Sequence, residues 1–227
     1  MKLSENTINI LKNFASINTD ILVNPGNVLK TMAGHKGLFA KTTVEESFPV
    51  QFAFNKLNEF LGVISLFKDP ELEFGPHQVT IKSGRQSVNY TYTDPSMVVA
   101  PRYDKDVVLP STDIEFSITQ EELQRMIRAA GVLQLTEIAV VGDGERMAIG
   151  ATNVKNPTTN HFSIDVGEAP ATNKFRVIFK VDNIIRLLSA DYNVKISARG
   201  LSQFTSENVV YFVATEADST FPKKDSE

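Results

Sequence analysis

Two stretches of the chain share one layout: FPVQFAFNKLNEFLG, from Phe48 to Gly62, and FRVIFKVDNIIRLLS, from Phe175 to Ser189. In the second, Phe175, Val177, Phe179 and Val181 fall at every second position with Arg176 and Lys180 between them, the period of a strand with one buried face. The period then changes. Ile184, Leu187 and Leu188 stand at helical spacing behind Asp182, whose carboxylate is placed to accept from the free amides of a first helical turn. The first stretch alternates Phe48, Val50, Phe52 and Phe54, puts Asn55 in the capping place, and continues with Leu57, Phe60 and Leu61 at helical spacing. Phe175, Asp182 and Leu188 lie 127 residues after Phe48, Asn55 and Leu61. A strand running into a short helix, twice at one offset, predicts an internal duplication.

A second pair of segments has the same order. Ser4 stands as N-cap before a stripe of Thr7, Ile8, Leu11, Phe14 and Ala15. Thr119, 115 residues later, caps a stripe of Leu123, Met126, Ile127 and Ala130, and Glu122 completes a capping-box pattern. Each helix leads into an apolar run, Ile21 to Val23 or Ile138 to Val141. Between the halves, Pro95, Pro101 and Pro110 are spread along Thr93 to Asp113, a spacing that favours an extended crossing. The expected domains are therefore 1–110 and 111–227. Elsewhere the signals are β: Gln78 to Tyr92, Arg146 to Thr152, His161 to Val166 and Val209 to Thr215, with a hairpin turn at Val141-Gly142-Asp143-Gly144. The charged end PKKDSE lacks apolar anchors and reads as a frayed tail.

A chain of 227 residues, 42% of them hydrophobic, suffices for two modest domains. No segment approaches the ~20 apolar residues of a membrane span, and MKLSENT lacks the apolar core of a signal peptide, so a soluble cytosolic protein is expected. The absence of Cys excludes disulfides, thiolate metal sites and a Cys nucleophile. His35, His77 and His161 occupy separate loop-like stretches without metal-ligand spacing. Gly142-Asp143-Gly144 lacks the ending of a phosphate loop. Glu45-Glu46 and Asp69-Pro70-Glu71 read as solvated clusters. Nothing assembles an acid, a base and a nucleophile, so no catalytic residue, metal or cofactor is assigned. An unrecognised hydrolase would require those histidines to meet carboxylates in space.

The polar faces of the helices are more informative. At ~100° per residue, Arg125 and Arg128 fall roughly 150° from the apolar stripe of their helix. Arg186 is placed in the same way opposite Ile184 and Leu188, Lys12 and Lys56 flank their stripes less squarely, and the first helix turns out Asn6, Asn9 and Asn13. A solvated face has the same appearance. These faces nevertheless carry few acids, chiefly Glu5, Glu59 and Glu121, in a chain with 27 acidic and 23 basic residues. A net charge of −4 argues against a protein that coats nucleic acid through a large basic surface. It permits one that holds DNA loosely with inward-facing cations and is retained by enclosure, because weak phosphate contacts carry no sequence information and allow sliding.

Four stretches, MKLSENTINILKNFASIN, LNEFLGVISLF, DPSMVVAP and VATEADST, closely resemble the sliding clamps of T-even-like bacteriophages, in order from Met1 to Thr220. The resemblance implies an α+β fold of two similar sheet-plus-two-helix clamp domains, assembled as a homotrimer into a six-domain ring with the helices lining the hole. Three chains of −4 would carry −12, so an electropositive lining would require segregated charge. By position, Lys2, Lys12 and Arg128 match basic residues of the family, while Arg125, Lys56 and Arg186 rest on helical phase. The family also implies sequence-independent binding of double-stranded DNA, a tethered phage DNA polymerase, an ATP-dependent clamp loader, phage transcription factors as further partners, and a place in the cytoplasm of the infected host. Its partner site lies near the domain crossing, where Val107, Val108 and Leu109 are candidates. The competing reading is a β-rich structural oligomer of a phage particle that never meets DNA.

Overall fold

The computed structural model describes residues 1–156 and 160–222. The chain divides into two compact units, Met1–Asp106 and Val107–Glu227. The expected frayed tail, from Lys223 onward, lies outside the described residues.

The first unit begins with α1 (Glu5–Ile17), started as its sequence demands. Ser4 is the N-cap, its hydroxyl accepting from the Thr7 amide at 3.2 Å. Thr7, Leu11, Phe14 and Ala15 are buried as the stripe predicts; Ile10 and Ile17 widen it, and Ile8 is only half-buried. Strands β1 (Ile21–Val23), β2 (Gly26–Met32), β3 (Leu38–Phe48) and β4 (Phe52–Phe54) follow, then α2 (Leu57–Ser65) and the meander β5 (Glu71–Phe74), β6 (Gln78–Ser83) and β7 (Gln86–Thr91). β1 pairs with β4 and β2 with β3, all antiparallel.

The second unit repeats this order. It runs β8 (Ile114–Ile118), α3 (Gln120–Val132), β9 (Glu137–Gly142), β10 (Arg146–Thr152), β11 (Phe162–Glu168), β12 (Phe175–Lys180), α4 (Val181–Ile184), β13 (Tyr192–Ser197), β14 (Leu201–Thr205) and β15 (Val210–Ala214). The pairings recur as β9 with β12, β10 with β11, and the run β13–β14–β15, with β8 added beside β13. Thr119 and Glu122 form the capping box on α3, and Leu123, Met126 and Ala130 are buried beneath it. At the hairpin, Gly144 has φ +108°, which suits glycine. At Gly150 a Cβ would stand 1.9 Å from the Phe162 carbonyl oxygen, so a side chain there would force β10 from β11.

The duplication is real, but its offset in the second pair is not 127. Ile21 pairs with Phe54, and Ile138 with Phe179. The first amide of α2, on Leu57, donates to the Thr19 carbonyl at 2.8 Å; the first amide of α4, on Val181, donates to Thr136 at 3.0 Å. Leu57 and Val181 are therefore equivalent, 124 residues apart. The alternation from Phe48 to Phe54 spans two strands: Pro49, which has no amide to donate, ends β3, and Val50 lies in the connecting bend. Neither expected cap is used. Asn55 is taken by the Thr93 hydroxyl at 3.1 Å, and Lys56 stands at the N-cap. Asp182 lies inside the first turn of α4, after Lys180 at the N-cap.

Glu46 is also more than a solvated acid. Its carboxylate receives the Ser4 amide and the Thr7 hydroxyl, tying the start of α1 to β3. Partial burial alone would raise its pKa, but these hydrogen bonds outweigh burial and hold it below the usual carboxylate value.

Candidate nucleic-acid interface

In the first unit, α1 and α2 carry the proposed cations. Lys2 and Lys12, both exposed, border one depression of about 300 Å³ whose apolar lining includes Leu3, Ile8, Leu61 and Ile64. Neither lysine makes an ion pair among the described residues. Lys56 is exposed and precedes the first turn of α2, with Nζ 3.5 Å from Glu59 Oε2. Glu59 is held from its other oxygen by the Tyr90 hydroxyl at 3.3 Å. Burial, and then the Glu59 charge, push the Tyr90 phenol up to about 12, so it remains a donor across the physiological range.

In the second unit, Arg125 and Arg128 are both exposed on α3, on the side away from Leu123, Met126 and Ala130. Arg125 is paired with Glu121 one turn earlier. Arg128 directs Nε to the Gln124 carbonyl at 3.3 Å and makes no ion pair. Arg186 departs from expectation. α4 ends at Ile184, after four residues, and the chain tightens into i→i+3 bonds, Arg186 to Asn183 and Leu187 to Ile184. Helical phase therefore does not extend to Arg186, which is half-buried in the turn, while Ile185 is exposed instead. With Leu57 equivalent to Val181, the counterpart of Glu59 is Asn183 rather than Arg186.

The crossing between the units is anchored by groups that sequence reasoning missed. The Lys30 side chain is only 3% exposed, yet it carries a charge. Its ammonium meets Asp106 Oδ1 at 2.8 Å and lies over the Tyr103 ring; Lys41 reaches Asp106 Oδ2 at 2.8 Å. The Tyr103 hydroxyl donates to the Leu22 carbonyl at 2.8 Å. The available signal was a lysine inside the buried run Leu29 to Thr31, where a charge must find a partner. Beyond this anchor, Val108 is 73% exposed, Val107 is at the surface and Leu109 is half-buried.

Hydrogen bonds from Lys30 and then Lys41 pull the Asp106 carboxyl down to about 2. A lowered folded-state pKa stabilises the anchored form above the ordinary carboxylate value, and that contribution disappears as pH falls toward 2. Amide hydrogen exchange of residues 103–106 is thus expected to accelerate between about pH 4 and pH 2. Asp106→Asn should already exchange fast at pH 6 and lose this acid transition; a transition unchanged in the variant would refute the anchor.

His35 and His77 lie in separate turns of the first unit, and His161 precedes β11 in the second. No cluster of three metal-ligating groups occurs among the described residues. No helix among them is long and apolar enough to cross a membrane.

The whole chain superposes on the proliferating cellular nuclear antigen of Entamoeba histolytica with a TM-score of 0.67, covering 95% of this chain and 97% of that one at 10% identity. The fold is the two-domain clamp fold. Residues 115–217 match the family described as gp45 sliding clamp, C terminal. The sliding clamp of Vibrio phage KVP40 is 33% identical over 221 residues, covering 96% of this chain and all of the relative. That of Enterobacteria phage T4 is 31% identical over 229 residues, covering 97% and 99%. The chain belongs to the sliding clamp family of bacteriophages.

Proposed function

We propose that three copies of the chain close into a six-domain ring around duplex DNA, touch its phosphates weakly and tether the phage DNA polymerase. Each chain supplies two clamp domains, 1–110 and 111–227. Lys2, Lys12, Lys56, Arg125 and Arg128 face the DNA, whereas Arg186 plays a lesser part because it is half-buried. The observation that carries this reading is the exposure of these cations on or beside α1, α2 and α3 in a chain of net charge −4. Tethering converts each polymerase dissociation into local recapture, an effective-concentration gain that needs no strong contact to DNA. Val107, Val108 and Leu109 offer an apolar edge to a peptide of the polymerase or of a phage transcription factor, and an ATP-dependent loader opens the ring. These steps take place in the cytoplasm of the infected cell.

The test is topological. Protein loaded on a nicked circle should be retained through a gel-filtration column and lost once the circle is cut and its ends are free. Failure of retention on the circle, or retention that survives cutting, would overturn the reading.

A further inference from the structure

We infer that Glu59 and Glu121 are positioning acids that hold Lys56 and Arg125 back from DNA and so set how freely the ring slides; this rests on the proposed function above. Both acids occupy the first turn of a helix, where a carboxylate ordinarily serves the free amides of the helix start. Neither does so here. On α3 that task belongs to Glu122, which receives the Thr119 amide at 2.9 Å and leaves Glu121 for Arg125. On α2 the two oxygens of Glu59 go to Lys56 and to the Tyr90 hydroxyl. Tyr90 fixes the acid from β7, a strand outside the helix, so the pairing with Lys56 is built by the fold and not only by proximity along the chain.

The consequence is a division among the cations. Lys2, Lys12 and Arg128 have no acid partner among the described residues, whereas Lys56 and Arg125 are each neutralised locally. A phosphate must compete with a carboxylate already in place for the second group, so these contacts contribute less counterion release than the first. For a protein retained by enclosure, weak contacts favour movement along the duplex. Removing the acids would convert two masked cations per chain into full phosphate ligands.

The experiment uses the full-length protein loaded on DNA circles, with Glu59→Gln and Glu121→Gln combined. A control carrying Glu145→Gln and Glu207→Gln has the same net charge change, at exposed positions in the hairpin turn and in the loop before β15. One-dimensional diffusion is followed by single-molecule tracking from 50 to 200 mM salt. Each released cation is expected to steepen the logarithmic salt dependence by about 0.9, or about threefold over that range. The double variant should therefore slide several-fold more slowly at low salt and approach wild type at high salt, while the control matches wild type throughout. If the acids serve only helix stability, thermal stability falls and the salt dependence stays as in wild type, which overturns the inference. Equal slowing in the control would also overturn it, since net charge would then suffice. Wild type that is not retained on circles defeats the ring itself, a failure distinct from unchanged sliding of a retained variant.

Discussion

Arg125→Glu combined with Arg128→Glu is expected to reduce loading and processive synthesis by about tenfold or more at physiological salt, with the trimer intact. Both side chains lie on the exposed side of α3, away from Leu123, Met126 and Ala130, so their replacement leaves the packed face untouched. Each lost phosphate contact flattens the logarithmic salt dependence by about 0.9, and three chains lose two each. Reversal goes further, because Glu121 would lose its cation and stand one turn from a second carboxylate, adding repulsion where attraction had been. Primer extension on a long single-stranded template, together with particle mass by light scattering, separates the two parts of the claim. Unchanged product length at physiological salt would remove α3 from the DNA side. A dissociated trimer would instead place these arginines at an interface.

Phe54→Ala should destabilise the first unit by about 3–5 kcal/mol, a large share of the roughly 5–15 kcal/mol that holds a domain folded. Phe54 is 1% exposed at the end of β4 and sits in a cluster of rings. It stacks on Phe60 of α2 at 4.4 Å between centroids and meets Tyr90 edge-on at 5.2 Å. Truncation removes both contacts and leaves a void between strand and helix that rigid neighbours fill poorly. The same cluster positions Tyr90 against Glu59, so the variant should also release that acid. The chain has no Trp and five Tyr, three of them, Tyr90, Tyr92 and Tyr103, in the first unit, so tyrosine fluorescence during urea unfolding reports the change directly. A loss below about 1 kcal/mol would mean that the cluster repacks around the gap.

The features legible in the sequence are those whose cause is local. Ser4 and Thr119 cap their helices because a hydroxyl three residues from a free amide needs no other part of the chain. The stripes on α1 and α3, the strand Ile21–Val23 and the turn at Gly144 follow from periodicity and backbone preference in the same way. The duplication was visible because one set of local patterns was written twice. Lys12, Arg125 and Arg128 were placed correctly on outward faces because their helices are regular for thirteen residues each.

Only the tertiary structure decided the rest. The starts of α2 and α4 are set by the Thr19 and Thr136 carbonyls, which accept the first helical amides from distant positions and displace Asn55 and Asp182 from the capping role. Arg186 left its expected face because α4 stops after one turn, and a phase argument fails once the helix ends. Glu46 and Asp106 looked like ordinary surface acids, yet one ties the start of α1 to β3 and the other anchors the crossing to Lys30 and Lys41. Periodicity records which residues can be buried together along one element. It does not record which distant carbonyl or carboxylate meets an unsatisfied donor, since that partner is selected by the packing of elements far apart in the chain.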